Sequence, residues 1–170
     1  YKYQIISRTK TLERLREKLI RKNREGIRYK GLSEIEDLAG IRVLFYSESA
    51  KDRFIKELQK EIDGTVNIEE KKQKNGYEAT HVIMTFGEAR LRLSEYKHFS
   101  GLKVEIQVTS ILRHAWAEIE HDFIYKDINK LKDRDPRKFA TMELKLGDIL
   151  EKHIKQASKE FEEIIKLMDE

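Results

Sequence analysis

The chain has no cysteine among its 170 residues. That excludes a disulfide framework, a thiol nucleophile and thiolate metal sites, and leaves the cytoplasm as the expected compartment. One proline and eight glycines leave little to interrupt regular structure, so long elements should dominate. No apolar run approaches the roughly 20 residues a membrane span needs, and no signal-peptide pattern opens the chain. Neither sign of charge prevails: 35 Lys and Arg face 31 Asp and Glu, a formal net charge of +4. That surplus is too small to establish nucleic-acid binding, although it favours anionic ligands where the bases cluster. What the chain does have is 39% hydrophobic residues, enough for a packed core. A chain of this length buries roughly 70% of its unfolded surface, which suits one domain with or without an appendage.

Tyr3–Arg8 alternates and predicts a strand, followed by a helix from about Thr11 to Glu25 with Leu12, Leu15 and Leu19 on one face. A basic connector follows, carrying Arg21, Lys22, Arg24, Arg28 and Lys30. Ser33 to Ala39 reads as a helical turn leading into Ile41–Tyr46, an apolar run typical of a central strand. Phe54, Leu58 and Ile62 mark a second amphipathic helix. Gly64–Glu70, Thr80–Phe86 and Leu102–Val108 read as strands, the first two separated by the polar loop Lys71–Glu78. Ile111 to Tyr125 predicts a helix with Leu112, Ala115, Trp116, Ile119 and Phe123 on its apolar face. A charged breaker, Lys130 to Pro136, precedes a last long helix. There Leu150, Ile154, Ala157, Phe161, Ile164 and Met168 keep a 4-3-4-3-4 spacing. Such a stripe packs on its own chain or forms a helical seam with another copy. The sum is an α/β (α+β) fold with a mixed sheet flanked by helices.

Several constellations bear on chemistry. Arg8 and Lys10 share one side of the extended chain, and Lys18 lies about two turns into the next helix. A strand, a tight turn and a helix N-terminus with three cations suit a polyphosphate, the competing reading being a solvated basic face. Asp37 precedes the apolar strand, and Glu105 lies inside the strand Lys103–Val108, where it projects with Gln107 opposite Val104, Ile106 and Val108. A carboxylate inside a strand is costly unless paired or metal-bound. Two of them at adjoining strands match what Mg²⁺ requires, and a salt bridge with Arg42 is the alternative. In Lys72-Gln73-Lys74-Asn75-Gly76-Tyr77, the Asn-Gly pair marks a turn that sets a tyrosine among lysines, an arrangement suited to base stacking. His114, Glu118 and His121 have metal-ligand spacing on one helix face, but nothing else in the sequence completes such a site.

Taken in order, these segments resemble the RelA/SpoT-type nucleotide pyrophosphokinase domain, from about Tyr3 to Lys126. Arg8-x-Lys10 with Lys18 is similar to that family's ATP-phosphate segment, and Asp37-Leu-Ala-Gly-Ile-Arg42 to its first metal-binding aspartate and following strand. Asn75-Gly76-Tyr77-x-x-x-His81 resembles the acceptor loop, and Val104-Glu105-Ile106-Gln107 the strand with the second acidic residue. Ala115-Trp116-Ala117-Glu118-Ile119-Glu120-His121 and Tyr125-Lys126 resemble the helix that follows.

The resemblance implies a nucleotidyltransferase-like synthetase core over residues 1–130, a helical extension over 131–170, and transfer of pyrophosphate from ATP to a 3′-hydroxyl of GDP or GTP with AMP leaving. It implies Mg²⁺ on Asp37 and Glu105, with Glu105 also helping to deprotonate the hydroxyl. ATP would lie on Arg8, Lys10 and Lys18. The acceptor would lie among Lys72, Lys74, Asn75, Tyr77, His81 and Gln107, its base stacked on Tyr77. A homo-oligomer through the C-terminal helix and no membrane contact complete the expectation. Five positions depart from the family pattern: Ala79 replaces a serine, Gln73 a lysine, Thr109-Ser110 an Arg-Thr pair and Arg14 a serine. Most fall on the acceptor side, which keeps open two alternatives: a toxin-like relative that modifies the 3′ end of tRNA or an adenosine nucleotide, and a catalytically silent nucleotide-binding or assembly module. Relatives carry helices before the first strand, so the sequence is expected to be truncated or a fragment of a longer protein.

Overall fold

A computed structural model describes residues 2–72, 78–122 and 128–169. Five strands, β1 (Tyr3–Thr9), β2 (Ala39–Phe45), β3 (Val66–Lys72), β4 (Glu78–Met84) and β5 (Val104–Ser110), form one sheet in the order β1-β2-β5-β4-β3. β2 and β5 run parallel at its centre, and every other pairing is antiparallel. The mixed sheet expected from the sequence is therefore present. β3 and β4 pair two residues beyond the expected loop boundary, to Lys72 opposite Glu78. The ladder keeps satisfying backbone groups after the apolar alternation has stopped.

Alternation gives the sheet two unlike faces. Val43, Phe45, Val82, Ile106 and Val108 are buried on one, under Ala50, Phe54, Ile55 and Leu58 of helix α2 (Glu48–Glu61). Ser47 caps that helix by accepting from the Ala50 N–H at 3.2 Å. Burying each such large side chain contributes about 1.5–3 kcal/mol. The other face carries Arg8, Gly40, Arg42, Glu105, Gln107, Thr109, Ala79 and His81, by their register across β1, β2, β5 and β4.

Helix α1 (Leu12–Arg24) starts on Thr11, whose hydroxyl accepts from the Arg14 N–H. None of its residues is buried, and Leu12 is 84% exposed. The expected leucine face is present on this helix but is left largely uncovered. α1 follows an edge strand exposed along its whole length, so there is little core for it to cover. Short helix α3 (Glu88–Leu91) leads toward β5, and α4 (Ile111–Glu120) leaves it directly. On α4 only Trp116 is buried, whereas Ala115 and Ile119 are exposed, because the contact with the helices that follow is narrow. The expected extension of α4 through Phe123 to Tyr125 lies outside the described residues.

The expected charged breaker is instead mostly helix α5 (Ile128–Arg134). Only Asp135 interrupts it, capping α6 (Pro136–Ile149) through the Lys138 N–H. Pro136 costs nothing in the first turn, where its missing N–H has no helical partner. α6 continues through a π turn (Leu150–Ile154) into α7 (Lys155–Asp169). Trp116 Nε1 donates to the Leu146 carbonyl at 3.0 Å and ties this arm to α4. The apolar stripe divides along its length. Leu150 is 1% exposed, but Phe161 and Ile164 are half exposed and Met168 is 72% exposed. Among the described residues no helix is long and apolar enough to cross a membrane.

Candidate active site

The polar sheet face is where chemistry concentrates. Its first centre is Asp37, in the turn that enters β2. The Lys10 N–H donates to the Leu38 carbonyl at 2.8 Å, which brings the β1–α1 junction against that turn. Lys10 Nζ then lies 2.9 Å from Asp37 Oδ2, and Lys18 Nζ lies 2.6 Å from Oδ1. Both carboxylate oxygens are engaged by ammonium groups. Burial raises the Asp37 carboxyl, but the Lys18 and Lys10 hydrogen bonds and charges outweigh it and hold it below the usual aspartate range. These residues line a cleft of about 680 Å³ with Arg8, Arg14, Arg21 and His121.

The second centre is Glu105, on β5. His81 Nδ1 lies 2.8 Å from its Oε1, and Gln107 Nε2 donates to its Oε2 at 2.9 Å. Burial pushes this carboxyl up. The hydrogen bond and charge of His81, joined by Gln107, hold it below its usual range against a further upward push from the Asp37 charge. The sequence left open a bridge from Glu105 to Arg42. The guanidinium goes elsewhere: Nε donates to Gln107 Oε1 at 3.1 Å, and Nη1 to Glu118 Oε1 at 2.8 Å. Nη1 also lies 3.3 Å from His114 Nδ1. Burial, then the Arg42 charge, push the His114 imidazole below its usual range, so it faces Arg42 as a neutral acceptor.

Arg42 is the residue that sequence reasoning undervalued. Across the missing side chain of Gly40 it shares a cleft of about 210 Å³ with Arg8, Ile6, Glu105 and Glu118. A Cβ on Gly40 would stand 3.6 Å from Arg8 Cγ and Nε, so the Arg8 side chain lies over the glycine. The signal was legible in alternation, which puts Gly40 and Arg42 on one face of their strand.

Arg8, Lys10, Lys18, Asp37, Glu105, His81 and Gln107 therefore come together along one surface. Lys74, Asn75 and Tyr77, like the side chain of Lys72, lie outside the described residues. Ala79 and Thr109, two of the departures from the family pattern, are both buried and line one small recess with Arg113. Arg113 in turn pairs with Glu48 and Glu78. The helical trio His114, Glu118 and His121 does not converge: His114 and Glu118 turn to Arg42, while His121 lines the Asp37 cleft.

Asp37 and Glu105 are the residues that could hold a divalent cation. They stand close enough for one charge to act on the other. Among the described residues no group of three or more His, Asp or Glu side chains could hold a metal by itself. Two oxygen donors short of a full set fit Mg²⁺, which takes one or two carboxylates and completes its shell with water and substrate phosphates.

Known proteins resemble this chain in sequence and in fold. The family model described as the region found in RelA/SpoT proteins matches residues 7–130. GTP pyrophosphokinase YwaC of Bacillus subtilis (strain 168) is 31% identical over 124 residues, covering 71% of this chain and 57% of that protein. This chain thus spans a little over half the length of that relative. Small alarmone synthetase 1 of Bacillus subtilis superposes with a TM-score of 0.70 at 22% identity, over 97% of this chain and 80% of that one. Its complex with pppGpp gives 0.71 at 21% identity, over 98% and 80%. A GTP pyrophosphokinase family protein from Streptococcus pneumoniae gives 0.68 at 23% identity, over 97% and 76%. These structures share the fold. Because the family match takes in well over half of the chain, this protein belongs to the RelA/SpoT family.

Proposed function

We propose that this domain transfers pyrophosphate from ATP to the 3′-hydroxyl of GDP or GTP and releases AMP. The observation that carries the reading is Asp37 between Lys10 and Lys18, on the same sheet face as Glu105. The curated relative's name, GTP pyrophosphokinase, supports it, as do the pppGpp and AMPCPP complexes of the similarly folded small alarmone synthetase 1. Lys10 and Lys18 bind the triphosphate, exchanging the Asp37 carboxylate for phosphate oxygens. Arg8 and Arg42 flank the adenine in the cleft over Gly40. Glu105 takes the proton of the acceptor 3′-hydroxyl as its oxygen bonds to the β-phosphorus, while the bond to the α,β-bridging oxygen breaks and AMP departs. Asp37 and Glu105 would hold Mg²⁺, which when bound would neutralise charge on the phosphates. Positioning and electrostatics suffice for such a transfer, and no thiol is needed. Tyr77 stacks on the acceptor base, and Lys72, Lys74, Asn75 and His81 line that side.

A second reading keeps the chemistry and changes the acceptor to an RNA 3′ end. It is favoured by ten basic against three acidic residues between positions 8 and 30, in a chain whose whole surplus is +4. Incubation with β-labelled ATP, Mg²⁺ and GDP, GTP or tRNA separates the two. We expect label on the guanine nucleotides. Label on tRNA alone selects the second reading, and no labelled acceptor removes both. The exposed half of the C-terminal stripe, Phe161, Ile164 and Met168, is the surface we assign to self-association. Light scattering of Phe161→Glu against the wild type tests it, and an unchanged mass refutes it.

A further inference from the structure

We propose that Gln107 is a positioning residue that ties the donor-nucleotide cleft to the Glu105 carboxylate, its amide oriented by Arg42 and Glu105 rather than by the acceptor. The proposal rests on the reading above, in which Arg42 contacts ATP and Glu105 takes the proton. It departs from what the family resemblance alone implies for Gln107.

The case begins with register. Arg42, Gln107 and His81 are directly opposite one another on β2, β5 and β4, and Glu105 is the next residue along the same face of β5. Gln107 therefore sits between a guanidinium on one strand and a carboxylate on its own. Its Oε1 accepts from Arg42 Nε at 3.1 Å and its Nε2 donates to Glu105 Oε2 at 2.9 Å. Neither partner leaves the amide a choice. A guanidinium only donates, and an ionised carboxylate only accepts. Turning the amide over would set N–H against N–H and oxygen against oxygen, so its orientation follows from chemistry on both sides.

The consequence is a continuous chain of contacts, Glu118–Arg42–Gln107–Glu105–His81, running across three strands and α4. Both oxygens of Glu105 are held, by His81 and by Gln107, which fixes the carboxylate plane. Arg42 is held at Nε by Gln107 and at Nη1 by Glu118. An acceptor nucleotide could reach only the second N–H or the second lone pair of an amide whose orientation Arg42 and Glu105 have already set. Partners of this kind, one step removed from the reacting atoms, typically contribute 10–100-fold to activity.

Two substitutions separate the two ends. Gln107→Glu keeps an acceptor for Arg42 but sets a like charge beside Glu105. Gln107→Lys keeps a donor for Glu105 but repels Arg42. We expect Gln107→Glu to lower kcat about 10–100-fold with the ATP KM within twofold of wild type. Gln107→Lys should raise the ATP KM and the Kd for α,β-methylene-ATP about tenfold or more. Acceptor KM should stay within twofold in both. A rise in acceptor KM with kcat and ATP KM unchanged overturns the proposal, and so does wild-type behaviour of both variants. Calorimetric binding of α,β-methylene-ATP reports on the Arg42 end without turnover. A wild-type protein that labels no acceptor defeats the functional reading, whereas equal analogue affinity in the Glu and Lys variants defeats this one. Should neither variant fold, hydrogen exchange of the wild-type Gln107 side-chain amide decides. It should be slow and should quicken in Glu105→Ala, and equal rates in the two proteins overturn the tie.

Discussion

Asp37 and Glu105 lie on one surface, yet they are held in opposite ways. Asp37 stands in a turn, its side chain 25% exposed, gripped by two ammonium groups on flexible stems. Glu105 stands inside a strand, its side chain 14% exposed, gripped by an imidazole and an amide whose own positions are set by sheet register. The first arrangement is exchangeable, because phosphate oxygens compete for both lysines. The second is fixed before any ligand arrives, which is what a proton acceptor needs. The proposed pyrophosphate transfer has use for both: one carboxylate released when the donor binds, and one that does not move.

The strongest way to break this contrast is at the fixed end. Glu105→Gln removes the proposed base and keeps the size, and should lower turnover about 10²–10⁴-fold while leaving ATP-analogue affinity nearly intact. Product formation against calorimetric binding reads both quantities. A variant that turns over at the wild-type rate would take proton transfer away from Glu105.

At the exchangeable end the expected signs are mixed, which makes the test sharper. Lys18→Met removes a charge-assisted bond and should weaken ATP binding by about 1.5–3 kcal/mol. It also frees one oxygen of Asp37, so Mn²⁺ should bind the nucleotide-free variant more tightly than the wild type, as followed by paramagnetic resonance. Weaker Mn²⁺ binding in Lys18→Met would show that the lysine is not a competitor for that carboxylate. On the acceptor side, Tyr77→Ala should weaken acceptor binding by about 1–3 kcal/mol, the usual contribution of base stacking. Unchanged acceptor affinity would remove that role.

How much of this was legible beforehand varies with the kind of information required. Strand alternation alone put Glu105 and Gln107 on one face, and the strand-to-helix turn brought Arg8, Lys10 and Lys18 to one cleft. That Lys10 and Lys18 grip Asp37 itself was not readable. It depends on the Lys10–Leu38 backbone bond and on the pairing of Thr9 with Ala39, both long-range facts. Leu12, Leu15 and Leu19 show the complementary limit: helical period states which side chains share a face, not whether anything covers it. Lys130 to Pro136 misled in another way. Lysine and arginine are good helix formers, and the proline begins a helix there instead of ending one.

The smallest effect is on stability against acid, and it too distinguishes the two carboxylates. Asp37 is held below its ordinary 3.8 and Glu105 below its ordinary 4.5. In each case the unfolded chain binds protons at a higher pH than the folded one. Each therefore contributes stability that is complete above its ordinary value and is lost as pH falls through the lower, folded one. Urea midpoints measured from pH 7 down to pH 3 should fall for the wild type, beginning near pH 4.5 with Glu105 and steepening below 3.8 as Asp37 joins. Glu105→Gln should shrink the earlier part of the decline and Asp37→Asn the later part. At neutral pH, Asp37→Asn should also be the less stable of the two, since it leaves Lys10 and Lys18 side by side without their shared counter-charge. Glu48, whose carboxyl is also held down against burial, here by Lys51, Ser110 and Arg113, supplies a background decline common to both variants. Identical acid limbs in the wild type and both variants would mean that neither grip contributes to folding.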